Sequence, residues 1–206
     1  MIRASKICKS FGGRQILDNL DYSIERGEIH AWKGSNGCGK TTLARLLAGL
    51  ETPDSGTITR SDPSLKVLIA QQDFVLWPTL SVRQNLNLVA PEKDWQPFVK
   101  QLSFSELLKQ RSGHLSHGQK QLVCLARTLS LQPDLLILDE AISHLDKEKR
   151  HQFFNTLKNL REKHAVAFIW INHFDENSAN LQSDSWVLEQ NQLYPSHLVY
   201  PKNNPS

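Results

Sequence analysis

The chain has 206 residues, 39% of them hydrophobic and 22% charged, with a formal net charge of +3 and a pI near 8.8. That length suits one domain with a substantial core, and the charge is too mild to point to nucleic acid. No apolar run approaches the ~18 residues needed to cross a bilayer, residues 1–6 lead into no apolar stretch, and Cys8, Cys38 and Cys124 have no paired spacing, so a cytosolic protein with free thiols and no signal peptide is expected.

Residues 2–32 read as short strands broken by turn signals at Gly12-Gly13 and Arg26-Gly27. Phe11 stands beside the first of these turns. Two readings are open for it: an exposed ring that stacks on a nucleotide base, or an ordinary core or turn aromatic.

Ile29-His30-Ala31-Trp32 reads as a strand ending at Lys33, and it runs into Gly34-Ser35-Asn36-Gly37-Cys38-Gly39-Lys40-Thr41-Thr42. This stretch fits G-x-x-x-x-G-K-[ST], the phosphate-binding P-loop. Leu43, Leu46, Leu47 and Leu50 then recur at helical spacing. Strand, glycine turn and helix are the order the motif needs. Glycines let backbone N–H groups curl around an anion, and the helix adds its N-terminal dipole and unpaired donors. Lys40 is expected to reach the β- and γ-phosphates and Thr41 to hold Mg²⁺.

Thr52-Pro53-Asp54-Ser55-Gly56 predicts a turn and Thr57-Ile58-Thr59 a short strand. Val67-Leu68-Ile69-Ala70 predicts another strand, ending at Gln71-Gln72. Polar groups at the end of a buried α/β strand sit where ligands bind, so Gln72 is either a Mg²⁺ or water contact or a solvated loop amide. Residues 74–113 change character: Phe74, Val75, Leu76, Trp77 and Leu80 flank a loop signal, and helical patterns follow at 81–90 and about 97–110, separated by Pro91 and Pro97. This reads as a mostly helical insertion. Ser116 is a good N-cap for the next helix, carried by Leu122, Leu125, Ala126 and Leu129, and taken alone it needs no ligand.

Leu135-Leu136-Ile137-Leu138-Asp139-Glu140 is an apolar strand ending in two carboxylates. Such runs belong to parallel sheets covered on both faces. Asp139 is placed to hold Mg²⁺ through water, and Glu140 to orient an attacking water. Asp146 is the expected cap of a helix over 147–163, whose charged side reads as a solvated face. A second buried strand over 165–171 ends at Asn172-His173, where His173 is either a γ-phosphate contact or a structural histidine. Leu181 to Leu193 predicts a final strand pair.

Taken in order, the P-loop, Gln72, Leu115-Ser116-His117-Gly118-Gln119, Leu138-Asp139-Glu140, Ser143-His144-Leu145-Asp146 and His173 resemble the ATP-binding cassette (ABC) ATPase family, over residues 11–173. The resemblance implies an α/β P-loop NTPase of ABC type. Its central sheet is mostly parallel and flanked by helices, with an N-terminal antiparallel β part and an inserted helical subdomain. One ABC ATPase domain over 1–206 follows, with 1–73 and 131–206 as the nucleotide-binding core and 74–130 as the subdomain carrying the signature motif. It further implies that Phe11 stacks on adenine, that residues 34–42 are the Walker A loop, and that Gln72 is the Q-loop glutamine. Ser116, Gly118 and Gln119 become signature residues facing ATP. Asp139 becomes the Walker B contact to Mg²⁺, together with Thr41 and Gln72, Glu140 the general base, and His173 the switch histidine.

ATP and Mg²⁺ are the implied cofactors. A homodimer or paired cassette sandwiching two ATP molecules is the implied assembly, with integral membrane permease subunits docking near Phe74 and Trp77, unless those two rings simply pack the insertion. The implied activity is ATP hydrolysis energising transport of a solute through that partner, from the cytoplasmic side of the membrane. A soluble non-transport ABC ATPase is the alternative, although its relatives usually carry tandem cassettes or long coiled-coil insertions, and this chain carries neither. Three positions depart from the family pattern: His117 where glycine is usual, Ala141 where proline usually follows, and Asn172 where a small hydroxyl residue often stands.

Overall fold

A computed structural model of the chain describes residues 1–71, 75–171 and 184–196. Two sheets organise it. The N-terminal one is antiparallel, with strands β1 (Ile2–Phe11), β2 (Arg14–Ile24) and β4 (Ser55–Arg60) in the order β2-β1-β4. Gly12-Gly13 closes β1 onto β2 as a two-residue hairpin, with Phe11 opposite Arg14. The central sheet takes β3 (Ile29–Lys33), β5 (Val67–Ala70), β6 (Leu135–Asp139), β7 (Ala167–Ile171), β8 (Asp184–Glu189) and β9 (Gln192–Pro195) in the order β5-β6-β7-β3-β8-β9. Every pairing in it is parallel except β8–β9.

The sequence dictates this layering. Leu135 to Leu138 and every residue of β7 are buried, because apolar runs of this kind are stable only with both faces covered. One face packs against α1 (Lys40–Ala48) and the antiparallel sheet, through Leu43, Leu46, Leu47, Ile7 and Leu20. The other packs against α2 (Val82–Asn87), α3 (Glu92–Gln101), α4 (His117–Ser130) and α5 (Lys147–His164) in one continuous cluster. Leu50 lies beyond the end of α1 and is exposed, so it does not extend the helix face as its spacing predicts.

Register places the functional edge. Ala70 pairs with Leu138, Asp139 with Ile171 and Trp32 with Ile171, so β5, β6, β7 and β3 end together. The loops leaving those strands therefore converge at one edge of the sheet, the place where open α/β sheets bind ligands.

The helical segment differs from expectation at Pro97, which lies inside α3 instead of preceding a helix. A mid-helix proline costs about 3 kcal/mol. Here Trp95, Phe98 and Val99 bury one side of α3 while Pro97 sits on the exposed side, so packing outweighs the local penalty. Asn85 fastens this region: it is fully buried, and its amide donates to Trp77 O and Ser112 Oγ while accepting from Trp77 N.

At the opposite edge of the sheet, His30 is buried with Tyr22 Oη 2.7 Å from Nδ1 and Glu28 Oε2 3.3 Å from Nε2. Burial holds its pKa below the usual imidazole value, against the opposing pull of Glu28 and Asp184. The unfolded chain therefore binds the extra proton first, and stability is lost as pH falls from about 6.5 toward the depressed folded value. Urea midpoints should fall between pH 7.5 and 5.5, and His30→Gln should flatten that slope.

Candidate functional site

Residues 34–39 join β3 to α1, and Lys40 opens the helix. The first turn of α1 carries no acidic side chain, leaving its N-terminal dipole and donors open to an anion. Gly34 has φ 146, and a Cβ there would meet Leu188 O at 2.6 Å, so no other residue fits this entry to the loop. Lys40 is buried, with Nζ 2.8 Å from Gly34 O, 2.9 Å from Ser35 O and 3.4 Å from Cys38 Sγ. Its ammonium thus bridges the loop it closes.

Asn36, Gly37, Gly39, Lys40, Thr41 and Thr42 line a cavity of about 450 Å³, across from Asp139 and Glu140. Thr41 Oγ1 donates to Asp139 Oδ2 at 2.7 Å, joining the first turn of α1 to the end of β6. Burial raises the Asp139 pKa and the Glu140 charge adds to it, while Thr41 and Lys40 pull the other way. A half-desolvated carboxylate paired with a hydroxyl is a hard oxygen set, short of the six ligands of Mg²⁺, and suits a cation completed by waters and phosphate oxygens. Glu140 adopts φ 54, rare for a residue with a Cβ, and this turns the chain immediately after the strand.

Phe11 lines the same cavity from the end of β1 and is 48% exposed. Ile16 and Gln71 also line it, and the sequence reading missed both. For Ile16 there was a signal: Ile16 and Leu17 break the alternation of β2, and both side chains come against Gly39 of the loop, Leu17 buried in the core and Ile16 packed partly exposed against it. Gln71 stands directly at the end of β5, where Gln72 was favoured. Gln72, Phe74 and His173 lie outside the described residues.

Ser116, Gly118 and Gln119 are not at this cavity. They line a separate depression of about 330 Å³ with His144, Asp146 and Lys149. Ser116 caps α4: its Oγ accepts from Gln119 N at 3.3 Å, while Gln119 Oε1 accepts from Ser116 N at 2.9 Å. A Cβ on Gly118 would meet His144 O at 2.8 Å, so α4 and the turn after Glu140 touch backbone to backbone. Gln121 adds to this grip by accepting from His144 N at 3.1 Å. Gly34, Ser35 and Cys38 line yet another cavity, facing the β8–β9 turn.

Comparison with known proteins bears on the family and the fold. A family described as "ABC transporter" matches residues 17–143. The spermidine/putrescine import ATP-binding protein PotA of Salmonella typhimurium is 34% identical over 208 residues, covering 93% of this chain and 55% of that protein. The chain thus spans about half the length of the curated relatives it matches. Among solved structures, a nucleotide-free ATP-binding cassette from an ABC transporter superposes with TM-score 0.83 at 22% identity, covering 98% of this chain and 96% of that one. The cassette MJ0796, in a dimeric post-hydrolysis state bound to ADP and Pi, gives TM-score 0.81 at 22% identity, covering 95% and 98%. The family match covers more than half of the sequence, from β2 through the Asp139–Glu140 pair, and the chain belongs to the ABC transporter family.

Proposed function

We propose that this chain binds and hydrolyses ATP to drive a solute through a separate membrane partner. The observation that carries this is the Thr41–Asp139 bond between the phosphate loop and the carboxylate strand, with Lys40 and Glu140 on the same cavity. Lys40 would leave the carbonyls of Gly34 and Ser35 for the β- and γ-phosphates, and the N–H groups of the loop and of α1 would hold the remaining phosphate oxygens. Thr41 and Asp139 would hold Mg²⁺, which neutralises charge developing on the phosphates. Glu140 would take the proton of the attacking water, and the Phe11 ring would stack on adenine. Because phosphoryl transfer needs little covalent chemistry from the protein, positioning and electrostatics would supply most of the acceleration.

The separation of Ser116 and Gly118 from the phosphate loop favours a dimer. A second copy packed head to tail would bring its capped helix, with Ser116 Oγ and the first N–H groups of α4, against the γ-phosphate. The segment over 74–130 would act as the arm presenting that helix, while 1–73 and 131–206 hold the nucleotide. Gln72 and His173 are carried into the proposal from the family pattern alone. Val75 and Trp77 are 65% and 52% exposed, and Arg127 Nη1 holds Val75 O. They belong to the surface proposed to receive a cytoplasmic helix of the membrane subunit, with Phe74 carried into the proposal from the sequence alone. No helix among the described residues is long and apolar enough to cross a membrane, so the spanning part would come from that partner. The curated relatives are named as import ATP-binding proteins, and import enters here as part of the same proposal.

The test is purification of the tagged chain from its own cells in mild detergent. An integral membrane protein should copurify, and the complex should hydrolyse ATP. Recovery only with soluble proteins would overturn the transport role and favour a non-transport ATPase.

A further inference from the structure

We propose that Lys9 is a positioning residue for the nucleotide base, acting through the Phe11 ring; this rests on the reading that Phe11 stacks on adenine. Lys9 Nζ lies over the Phe11 ring, 5.2 Å from its centroid. Phe11 lines the phosphate-loop cavity and Lys9 does not, so the cation holds the ring from outside the cavity. A phenyl group at the last residue of a strand, half exposed, would otherwise lose rotamer freedom each time a base stacked on it. A cation fixed over the ring removes part of that cost in advance.

The cation is itself fixed. Lys9 is 9% exposed, its Nζ donates to Thr52 O at 2.8 Å and to Asp54 Oδ1 at 3.0 Å. The other Asp54 oxygen accepts from Ser10 N at 2.7 Å, and Asp54 N donates to Cys8 O at 2.9 Å. Asp54 therefore grips the chain at residues 8, 9 and 10, immediately before Phe11. These two bonds, from Lys9 first and then Ser10, hold the Asp54 carboxyl below the usual carboxylate range. Asp54 belongs to the turn that follows α1, the helix of the phosphate loop. The group under the base and the group around the phosphates are thus tied together at a distance set by the protein. A purely structural lysine would need the Thr52 and Asp54 bonds but not the ring contact.

Calorimetry on the full chain separates these roles by comparing ATP with tripolyphosphate, which has no base. Lys9→Met keeps the stem and removes the charge. It should weaken ATP about 2- to 5-fold and leave tripolyphosphate unchanged. Lys9→Arg should bind ATP as the parent does. Phe11→Leu should weaken ATP but not tripolyphosphate, and adding Lys9→Met to it should cost nothing further. If Lys9→Met fails to fold, Asp54→Ala, which removes one of the two acceptors that fix the lysine, should give an ATP-selective loss in the same direction. An equal loss for both ligands, or no loss, in the Lys9 and Asp54 variants while Phe11→Leu weakens ATP would overturn the role of Lys9 alone. ATP binding unaffected by Phe11→Leu would overturn the base-stacking reading on which it rests.

Discussion

Replacing Glu140 with glutamine should cut ATP turnover by about 10²- to 10⁴-fold, the usual worth of a general base. The substitution keeps the volume and the ability to accept a hydrogen bond, but removes the proton acceptor. ATP binding should persist, because Lys40, Thr41 and the loop N–H groups proposed to meet the phosphates are untouched. Closed dimers should then accumulate with ATP, visible as a doubled mass in light scattering, and disappear when ADP replaces it. Unchanged phosphate release would reject the role given to Glu140. Loss of both turnover and binding would mean that the carboxylate holds the site together, a possibility its left-handed backbone makes worth separating.

Lys40→Ala should act on the other half of the reaction. A hydrogen bond to a charged group is worth about 1.5–3 kcal/mol, so the Kd for ATP should rise about 10- to 150-fold. The same change leaves the Gly34 and Ser35 carbonyls without their donor in the nucleotide-free chain. The loop should therefore lose order before ATP arrives, and hydrogen exchange over 34–39 should quicken. ATP binding within twofold of the parent would show that the ammonium stays on the loop carbonyls in the complex.

The strongest sequence signals were those in which chemistry and backbone geometry make the same demand. The P-loop, the apolar strand ending at Asp139, the Ser116 cap and the Asp146 cap all lie where their residues predict, because glycine, apolar runs and short capping side chains act locally. Asp146 Oδ1, for instance, accepts from Lys149 N at 2.8 Å. Local rules failed where burial overrode them. Pro97 stays inside a helix because Trp95 and Phe98 need that helix to reach the core. Proximity was the other gap: nothing in the spacing of Lys9, Phe11 and Asp54 shows that a strand end and a distant turn meet, and Ile16 becomes a lining residue only once β2 folds beside the loop. The site assignments drawn from family likeness go further than geometry alone, and Gln72 and His173 rest on that likeness.

The contact of Gly118 and Gln121 with His144 would give each chain of the proposed dimer a memory of its neighbour's state. In the proposed dimer, Ser116 and Gly118 belong to one nucleotide and Glu140 to the other, yet both lie on the same polypeptide. His144 is only a tight turn beyond Glu140, and α4 holds it through the close Gly118 backbone contact and the hydrogen bond to the Gln121 side-chain amide. Such a joint transmits a push instead of absorbing it. If ATP at one site draws α4 toward its γ-phosphate in that dimer, the turn behind Glu140 at the other site would be pulled with it, and the two hydrolysis events would be geared to each other.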